Sequence, residues 1–333
     1  MKRNILLLFT FFACITVQGQ TPVRLVDLRS EHLDRPIGLD NPVPRLSWRM
    51  EDGRQGAVQT SWRIVVDEDS LNVVNGCGRM WDSGKNDSRN QLVAYAGKKL
   101  QPFTRYYWKV ICSDMEYKET ASPVSYFETG MMGMQHWQGA WIGDGKDIHY
   151  GPAPYFRKEF KTGKKVKSAR AYIAAAGLYE LYINGEKIGD HCLAPLYTRF
   201  DRRNLYVAYD VTSQLQNGDN AIGVLLGNGW YNHQSKAVWD FDRAPWRNRP
   251  AFCLDLRITY TDGSVETIPT DLSWRTASGA ITFNSIYTGE HYDARLEQKG
   301  WSTPEFDDSK WRGVAYRSVP SSNVTAQQVH PHP

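Results

Sequence analysis

Apolar and polar residues alternate in short runs along most of this chain, and long runs with the 3.6-residue period of a helix are absent. The runs are rich in Val, Ile, Tyr and Trp, and Gly, Asn, Asp and Pro interrupt them. Such short strands between turn-forming residues are typical of β-sandwiches. The pattern therefore predicts an all-β chain.

The first predicted domain covers residues 21–130. Its predicted strands are Arg45–Met50, Ser61–Asp67, Leu92–Tyr95, Tyr106–Ser113 and Ser125–Glu128. In the predicted strand Tyr106–Ser113, the side chains of Tyr106, Trp108 and Val110 fall on one face, as a strand buried on one side requires.

The segment 100–110 places Leu, Pro, Thr and Tyr at alternate positions before a strand. This arrangement resembles the corner before the sixth strand of fibronectin type III domains, where a Tyr hydroxyl bonds to the backbone of the corner. Tyr106 is the matching residue. We expect a fibronectin type III-like sandwich with Trp48 in its core.

The second predicted domain covers residues 137–320, after a Gly- and Met-rich linker. A strand-like run, Arg170–Ile183, ends at Asn184-Gly185, a strong two-residue hairpin signal. Asp262-Gly263 predicts a second hairpin of the same kind, and Asn217-Gly218 a further turn. The size of the domain and its long connections favour a larger jelly-roll sandwich. Residues 321–333 carry no strand pattern and are predicted to be a tail.

The first 20 residues resemble an export signal. Lys2 and Arg3 precede the apolar stretch Ile5–Val17, and Gly19 offers a small residue for cleavage, so residues 1–19 are predicted to be a signal peptide. The stretch is short for a membrane-spanning helix. Lipid attachment at Cys14 is the less favoured alternative. The chain is thus expected to be exported, either periplasmic or secreted, without a transmembrane segment.

Composition excludes some classes of function. The chain has 40 Lys and Arg against 36 Asp and Glu, a formal charge of +4. Loss of Lys2 and Arg3 with the signal leaves 38 against 36, or +2. A charge this balanced argues against a nucleic-acid partner. The four remaining cysteines have no zinc-site spacing; buried free thiols are favoured, and a disulfide stays open.

The sequence shows no phosphate-binding loop, nucleophile elbow, metalloprotease helix or zinc ligand set. Carboxylates are plentiful, but nothing in the sequence singles out two of them as a glycosidase pair. The acids lie mostly beside turns, as in Asp52-Gly53, Asp262-Gly263 and Asp307-Asp308, where they stabilise turns without any catalytic role. We therefore expect no active site within this chain.

An aromatic motif is the stronger functional signal. Asn228-Gly-Trp230-Tyr231 follows an apolar strand and opens a long excursion, 228–248, that also holds Trp239 and Trp246. Aromatic faces beside amide groups suit the stacking and hydrogen bonding of a sugar ring. The candidate carbohydrate-binding residues are Asn228, Trp230, Tyr231, Tyr197 and Asp201. The alternative is that Trp230 closes the end of the sandwich core.

Several further motifs, in order, resemble the bacterial α-L-rhamnosidases of glycoside hydrolase family 78. In the first domain the resemblance rests on 44–48 (PRLSW), 81–84 (WDSG), 100–110 and 127–130 (FETG). In the second it rests on 177–185 (GLYELYING), 193–195 (LAP), 209–212 (YDVT), 227–231 (GNGWY), 289–295 (GEHYDAR), 300–301 (GW) and 306–311 (FDDSKW).

The resemblance implies a fibronectin-like domain and β-domains followed by an (α/α)6 barrel that carries the acid and base of an inverting hydrolysis. The chain stops before such a barrel, so it is expected to be the N-terminal, non-catalytic portion, inactive alone. Its implied partners are rhamnose-containing plant glycosides or pectin and the missing catalytic domain. The alternatives are a stand-alone rhamnoside-binding module and a structural adhesion-type protein.

The resemblance also implies two kinds of site. Some family members bind rhamnose through calcium, and the oxygen-bearing candidates here are Asp190, Asp201, Asn228, Asp240 and Asp242. Glu290, Tyr292, Asp293 and Arg295 form a polar block that is expected to be a domain interface, with sugar binding as the alternative.

Overall fold

The computed structural model describes residues 22–235 and 239–329; the predicted signal peptide and Cys14 lie outside them. The first domain has one short helix, α1 (Ser70–Val74). Its strands are β1 (Arg24–Ser30), β2 (Arg45–Glu51), β3 (Ser61–Asp67), β4 (Trp81–Asp82), β5 (Leu92–Ala94), β6 (Arg105–Ser113), β7 (Glu119–Ala121) and β8 (Ser125–Glu128).

Two antiparallel sheets form this domain. One has the order β1-β2-β5, and the other has the order β4-β3-β6-β7, with β8 pairing along the same edge of β6 as β7. Alternate residues of β6 are buried, and Trp108 and Val110 share one core with Leu46 and Trp48 of the opposite sheet. The predicted sandwich and the core position of Trp48 are confirmed.

The tyrosine corner is also confirmed. The amide of Gln101 donates to the hydroxyl of Tyr106 over 2.8 Å, and the Tyr106 ring is fully buried. A buried hydroxyl needs such a partner, since an unpaired one costs free energy. The corner therefore fixes how the chain enters β6.

The second domain contains most of the strands. They are β9 (Ile142–Gly143), β10 (Pro154–Thr162), β11 (Val166–Ala176), β12 (Leu178–Ile183), β13 (Glu186–Lys187), β14 (Asn204–Asp210), β15 (Gly218–Gly227), β16 (Ala251–Tyr260), β17 (Val265–Pro269), β18 (Arg275–Ser278), β19 (Ile281–Ser285), β20 (Gly289–Tyr292), β21 (Arg312–Gly313), β22 (Ala315–Tyr316) and β23 (Val324–Ala326). Single 3₁₀ turns lie at Met134–His136, Thr212–Gln214, Phe241–Arg243 and Ala294–Leu296.

Two sheets face each other in this domain. The first has the order β13-β12-β15-β10-β18-β21, and the second β22-β9-β16-β11-β14-β23 with β17 on β16. Their shared core contains Phe156 and Val224 from the first sheet and Ile173 and Phe252 from the second. β19 and β20 form a separate two-stranded hairpin at one end. The all-β prediction with two sandwiches is confirmed.

Turn chemistry explains the local connections. Asn184 and Gly185 both have positive φ, 51° and 87°, so the predicted hairpin between β12 and β13 is confirmed. At the Asp262-Gly263 turn only Gly263 has positive φ, 84°, so the two turns differ in type.

The prediction of a single strand over residues 170–183 is wrong. Gly177, at φ 123°, divides the run into two strands, and a Cβ at this position would lie 2.5 Å from the carbonyl oxygen of Gly227.

The segment predicted as a tail, 321–333, contributes a strand instead. β23 pairs in parallel with β14 at the edge of the second sheet. Val324 and Ala326 are buried there. The run is only three residues long, too short for its alternation to be distinguished from a loop.

The two domains pack against each other through buried polar contacts. Arg170 of β11 forms a two-point ion pair with Glu128 of β8, with N–O distances of 2.7 and 3.0 Å. The hydroxyl of Tyr206 donates to Asp40 over 2.6 Å and accepts the amide of Met131 over 2.9 Å. Both contacts join a side chain of one domain to a side chain of the other, so they fix the relative orientation of the two domains at the junction.

The four described cysteines are free thiols. Cys112 and Cys253 are buried as predicted, whereas Cys77 and Cys192 are exposed. Burial raises the pKa of the Cys112 thiol to about 12, which keeps it protonated and unreactive near neutral pH.

Candidate functional site

An aromatic cavity lies at the end of the second sandwich. It is an open pocket of about 230 Å³, lined by Tyr197, Trp230, Trp239, Phe241 and Tyr287. The rings come from the loop before β14, the excursion after β15, and the turn of the β19–β20 hairpin. Trp239 is 72% exposed and Tyr287 51%, which is unusual for such large apolar side chains and marks a contact surface.

Trp230 is the centre of this cavity. Its ring centroid lies 5.2 Å from those of Phe241 and Tyr287 and 5.7 Å from that of Tyr197. The indole N–H of Trp246 donates to the carbonyl oxygen of Trp230 over 3.3 Å. Trp230 is half-buried, so it both anchors the excursion and presents an aromatic surface.

Asn228 fixes the backbone below the cavity rather than facing a ligand. It is 1% exposed, its amide N–H donates to Asn284 Oδ1 over 2.6 Å, and its side chain pairs with Asn232 over 3.0 Å. Gly229 follows at φ 50°, and a Cβ there would lie 2.8 Å from Cγ of Leu178. The Asn228 side chain therefore serves the backbone of this turn, and its contact with a sugar stays a prediction.

Of the other predicted carbohydrate-binding residues, two line the cavity and two make contacts elsewhere. Tyr197 and Trp230 line the cavity. Tyr231 points into the core, 4% exposed and 5.1 Å from the ring of Phe200. Asp201 is paired with Arg199 over 2.9 Å, and this hydrogen bond lowers its pKa.

A cleft of about 440 Å³ adjoins the aromatic cavity. Gly229 and Ile286 line the cleft, and the residues that directly follow them in sequence, Trp230 and Tyr287, line the cavity. Its walls are mainly apolar, and its polar groups include Glu180, Asn284, Ser285 and Glu290. Burial tends to raise the pKa of Glu180, but hydrogen bonds from Lys187 and Tyr182 outweigh it and leave the pKa low. Glu180 therefore remains ionised.

The predicted polar block lies on β20 and the turn after it, and it is largely exposed. Glu290 lines the cleft, whereas Asp293 accepts hydrogen bonds from the backbone and side chain of Arg295, at 3.1 and 2.8 Å. Tyr292 donates its hydroxyl to Glu297. These local pairs leave the outer surface of the hairpin available for contact.

Asp255 is the one carboxyl with a raised pKa among the described residues, about 6, and burial is the cause. A proton-donating acid of a glycoside hydrolase has a raised pKa of this kind. Both oxygens of Asp255, however, accept backbone amides, of Gln138 and Gly139, at 2.8 and 2.7 Å. Asp255 therefore holds the linker on the second sheet.

Two of the residues named as calcium candidates are engaged in other contacts. Asn228 is bonded to Asn284 and Asn232, and Asp201 to Arg199. Within residues 22–235 and 239–329, no three Asp, Glu, His or Cys side chains form a group that could hold a metal ion. Calcium binding through amide and backbone oxygens stays a prediction.

The sequence indicated Trp230, Trp239 and Tyr197 but missed Phe241 and Tyr287. Phe241 lies in the excursion 228–248, so its place in the sequence could have identified it as a cavity residue. Tyr287 belongs to a hairpin nearly 60 residues further along the chain, at 281–292. Only tertiary structure brings it to the cavity.

Comparisons with known proteins agree with this architecture. The family model described as the α-L-rhamnosidase N-terminal domain matches residues 164–332, and that of the Rha78A-like N-terminal immunoglobulin domain matches residues 25–133. An α-L-rhamnosidase of Formosa agariphila is 33% identical over 98% of this chain, and one of Alteromonas sp. is 32% identical over 84%. The α-L-rhamnosidase structure from Dictyoglumus thermophilum superposes with a TM-score of 0.85 and 38% identity over 92% of this chain.

The fold and these comparisons define the N-terminal β-sandwich region of a glycoside hydrolase. The chain belongs to the α-L-rhamnosidase family. It spans 37% of the Formosa agariphila relative and 35% of the Dictyoglumus thermophilum chain, about a third of each. Among the residues that the structure describes, no helix is long and apolar enough to cross a bilayer.

Proposed function

We propose that this chain is the non-catalytic N-terminal β-region of an exported α-L-rhamnosidase that removes terminal L-rhamnose from plant glycosides or pectin. The observation that carries the proposal is the match of both sandwiches to this family, of whose members compared above the chain spans about a third. In this role the chain supports and positions a hydrolytic region that is not among these residues. The Lys- and Arg-led apolar segment at residues 1–19 supports export.

We assign the contact with the hydrolytic region to the surface of the β19–β20 hairpin and the turn after it. Glu290 and Arg295 are exposed and carry opposite charges, and Tyr292 and Leu296 are 54% and 49% exposed beside them. Charged groups that flank apolar side chains are the usual composition of an interface rim and core. The proposed partner is the hydrolytic region of the same enzyme.

The direct test is an assay of the purified chain on an aryl α-L-rhamnoside. We expect no turnover above the blank, because the proposal assigns the proton donor and the activating base to the hydrolytic region of the enzyme. The matched variants are Glu180→Gln and Glu290→Gln, which remove the two cleft carboxylates. Turnover by the native chain that either substitution abolishes would refute the non-catalytic role.

A second candidate function is binding of a rhamnoside at the aromatic cavity, for which the exposure of Trp239 and Tyr287 is the favouring observation. Calorimetry with L-rhamnose, with and without a calcium chelator, tests it. Trp239→Ala is the informative variant, and Tyr316→Ala, a change at a 57% exposed ring outside the cavity, is its control. Heat that Trp239→Ala alone removes supports binding. No heat at millimolar sugar favours a structural, adhesion-type role for this surface.

A further inference from the structure

A second, more polar cavity lies at the junction of the two domains. It encloses about 270 Å³, and its lining includes Tyr172, Asp255, Arg257 and Thr267. These four share one face of the second sheet, because Tyr172 lies opposite Asp255 and Arg257 opposite Thr267 in the strand pairing. Phe103 of the first domain and four linker residues complete the lining: Met131, Gln135, His136 and Gln138. We call this space the junction cavity.

Arg257 carries a positive charge without an ion-pair partner among the described residues. Its neighbour across the strand pair is Arg170, which is neutralised by Glu128 and by Asp210, at 2.7 and 2.8 Å. The guanidinium of Arg257 instead lies 4.4 Å from the ring centroid of Phe103. Stacking of this kind orients the planar group and leaves its N–H donors free.

Tyr172 supplies a second polar group to the same cavity. Its side chain is buried, at 1% exposure, and it lines the junction cavity. Its hydroxyl is not hydrogen-bonded to another group among residues 22–235 and 239–329, so it can donate to or accept from a molecule in the cavity. The cavity thus contains a fixed cation and an available hydroxyl.

The remaining groups suit a ligand that bears hydroxyls. Gln135, Gln138 and Thr267 offer both donors and acceptors, and His136 lies edge-on to Phe103 with 6.0 Å between centroids. Asp255 is the acidic group of the lining, and its two oxygens are held by the linker amides of Gln138 and Gly139. The Asp255 carboxylate therefore holds the linker on the sheet and is not turned to Arg257 as a counter-ion.

We propose that the junction cavity binds a small sugar acid, with the ligand carboxylate on the guanidinium of Arg257 and the hydroxyl of Tyr172. The ligand hydroxyls would then bond to Gln135, Gln138 and Thr267. A carboxylate matches the forked donors of Arg in two-point geometry, which a neutral hydroxyl does not. Because the lining comes from both domains and the linker, the bound acid also holds the domains together. This site is separate from the surfaces proposed for hydrolysis support.

The test is isothermal calorimetry on the full chain with sodium D-glucuronate and, as the neutral analogue of the same ring, D-glucose. We expect binding of D-glucuronate and at least about tenfold weaker binding to the Arg257→Gln variant, since a charge-assisted pair is lost. Arg275→Gln, at an exposed arginine outside the cavity, is the matched control and should bind as the native chain does. Tyr172→Phe should weaken binding by a smaller factor, because one neutral donor is removed.

Three outcomes would overturn the proposal. D-Glucose that binds as tightly as D-glucuronate would exclude recognition of the carboxylate. Equal losses in the Arg257→Gln and Arg275→Gln variants would indicate unspecific charge attraction. No heat with D-glucuronate at millimolar concentration, with the native chain shown to be folded by its thermal transition, would exclude the site.

Discussion

Tyr206 and Asp40, which belong to different domains, share a 2.6 Å hydrogen bond at the centre of the domain junction. The same hydroxyl accepts the amide of Met131, and the same carboxylate accepts the amides of Met132 and Ala326, each at 2.8 Å. One tyrosine and one aspartate thus satisfy the backbone of the linker and of the last described strand. This small polar network therefore fixes the geometry of the junction.

Tyr206→Phe should destabilise the chain by about 1–3 kcal/mol, because the buried amide of Met131 loses its acceptor. Chemical denaturation measures this change in the free energy of unfolding. Tyr316→Phe removes a hydroxyl from a ring that is 57% exposed and serves as the control, with a change below about 0.5 kcal/mol. Equal effects of the two substitutions would contradict the role given to Tyr206.

Glu128→Gln should cost about 3 kcal/mol of stability, since Arg170, whose side chain is 10% exposed, loses its two-point partner. Asp210 remains beside Arg170 and offsets part of the charge. The contrast is Asp219→Asn, which breaks the exposed pair with Lys161 and should cost less than about 1 kcal/mol. Denaturant titration of both variants measures the change in the free energy of unfolding. If Glu128→Gln cost no more than Asp219→Asn, a buried ion pair at Glu128 would be excluded.

Gly38→Ala should be more damaging than Gly56→Ala. Both glycines have positive φ, 83° and 71°, so both substitutions carry the backbone cost of about 1–2 kcal/mol. A Cβ at Gly38 would lie 2.6 Å from Cβ of Ala208 in the other domain, whereas nothing lies within 4 Å of one at Gly56. Overpacking adds about 1–3 kcal/mol at Gly38 alone. The difference in melting temperature between the variants isolates the close approach of the domains.

Stability should depend on pH through Asp255. Burial raises its pKa in the folded chain to about 6 from an ordinary value of 3.8, so the folded state binds the proton more tightly than the unfolded state. This group therefore contributes stability that is fully present below about pH 4 and is lost as the pH rises through about 6.

The measurement is the free energy of unfolding of the native chain and of Asp255→Asn between pH 4 and 7. The variant cannot lose a proton there, so its stability relative to the native chain should rise over that range. Asp219→Asn, at an exposed carboxylate, is the control and should follow the native profile. Parallel profiles for the native chain and Asp255→Asn would exclude a raised pKa for Asp255.

Local patterns carried most of the prediction of the strands. Ser61–Asp67 and Ser125–Glu128 are strands with the predicted bounds, because alternation and flanking turns are encoded within a few residues. The break at Gly177 and the strand at Val324–Ala326 were missed. The first depends on the approach of the Gly227 backbone, and the second on an edge provided by β14. Neither cause is local in sequence.

The candidate site was less predictable for the same reason. A sequence shows that Trp230 and Tyr231 are adjacent, but not that one ring turns to the surface and the other to Phe200 in the core. Asn228 has the chemistry of a sugar ligand, yet Asn284 and Asn232 already use it. The junction cavity had no sequence signal at all, since Phe103, Tyr172 and Arg257 come from three distant segments.

The hydrogen bond from Ala326 to Asp40 joins residues 286 positions apart, and it sets an order of events during synthesis. At about 5–20 residues per second, Asp40 leaves the ribosome roughly 15–60 s before Ala326 is made. The bonds of the same carboxylate to Met132 and Tyr206 need only the first part of the second domain, so they can form earlier. The Ala326 contact can only complete a junction whose other partners have already been translated.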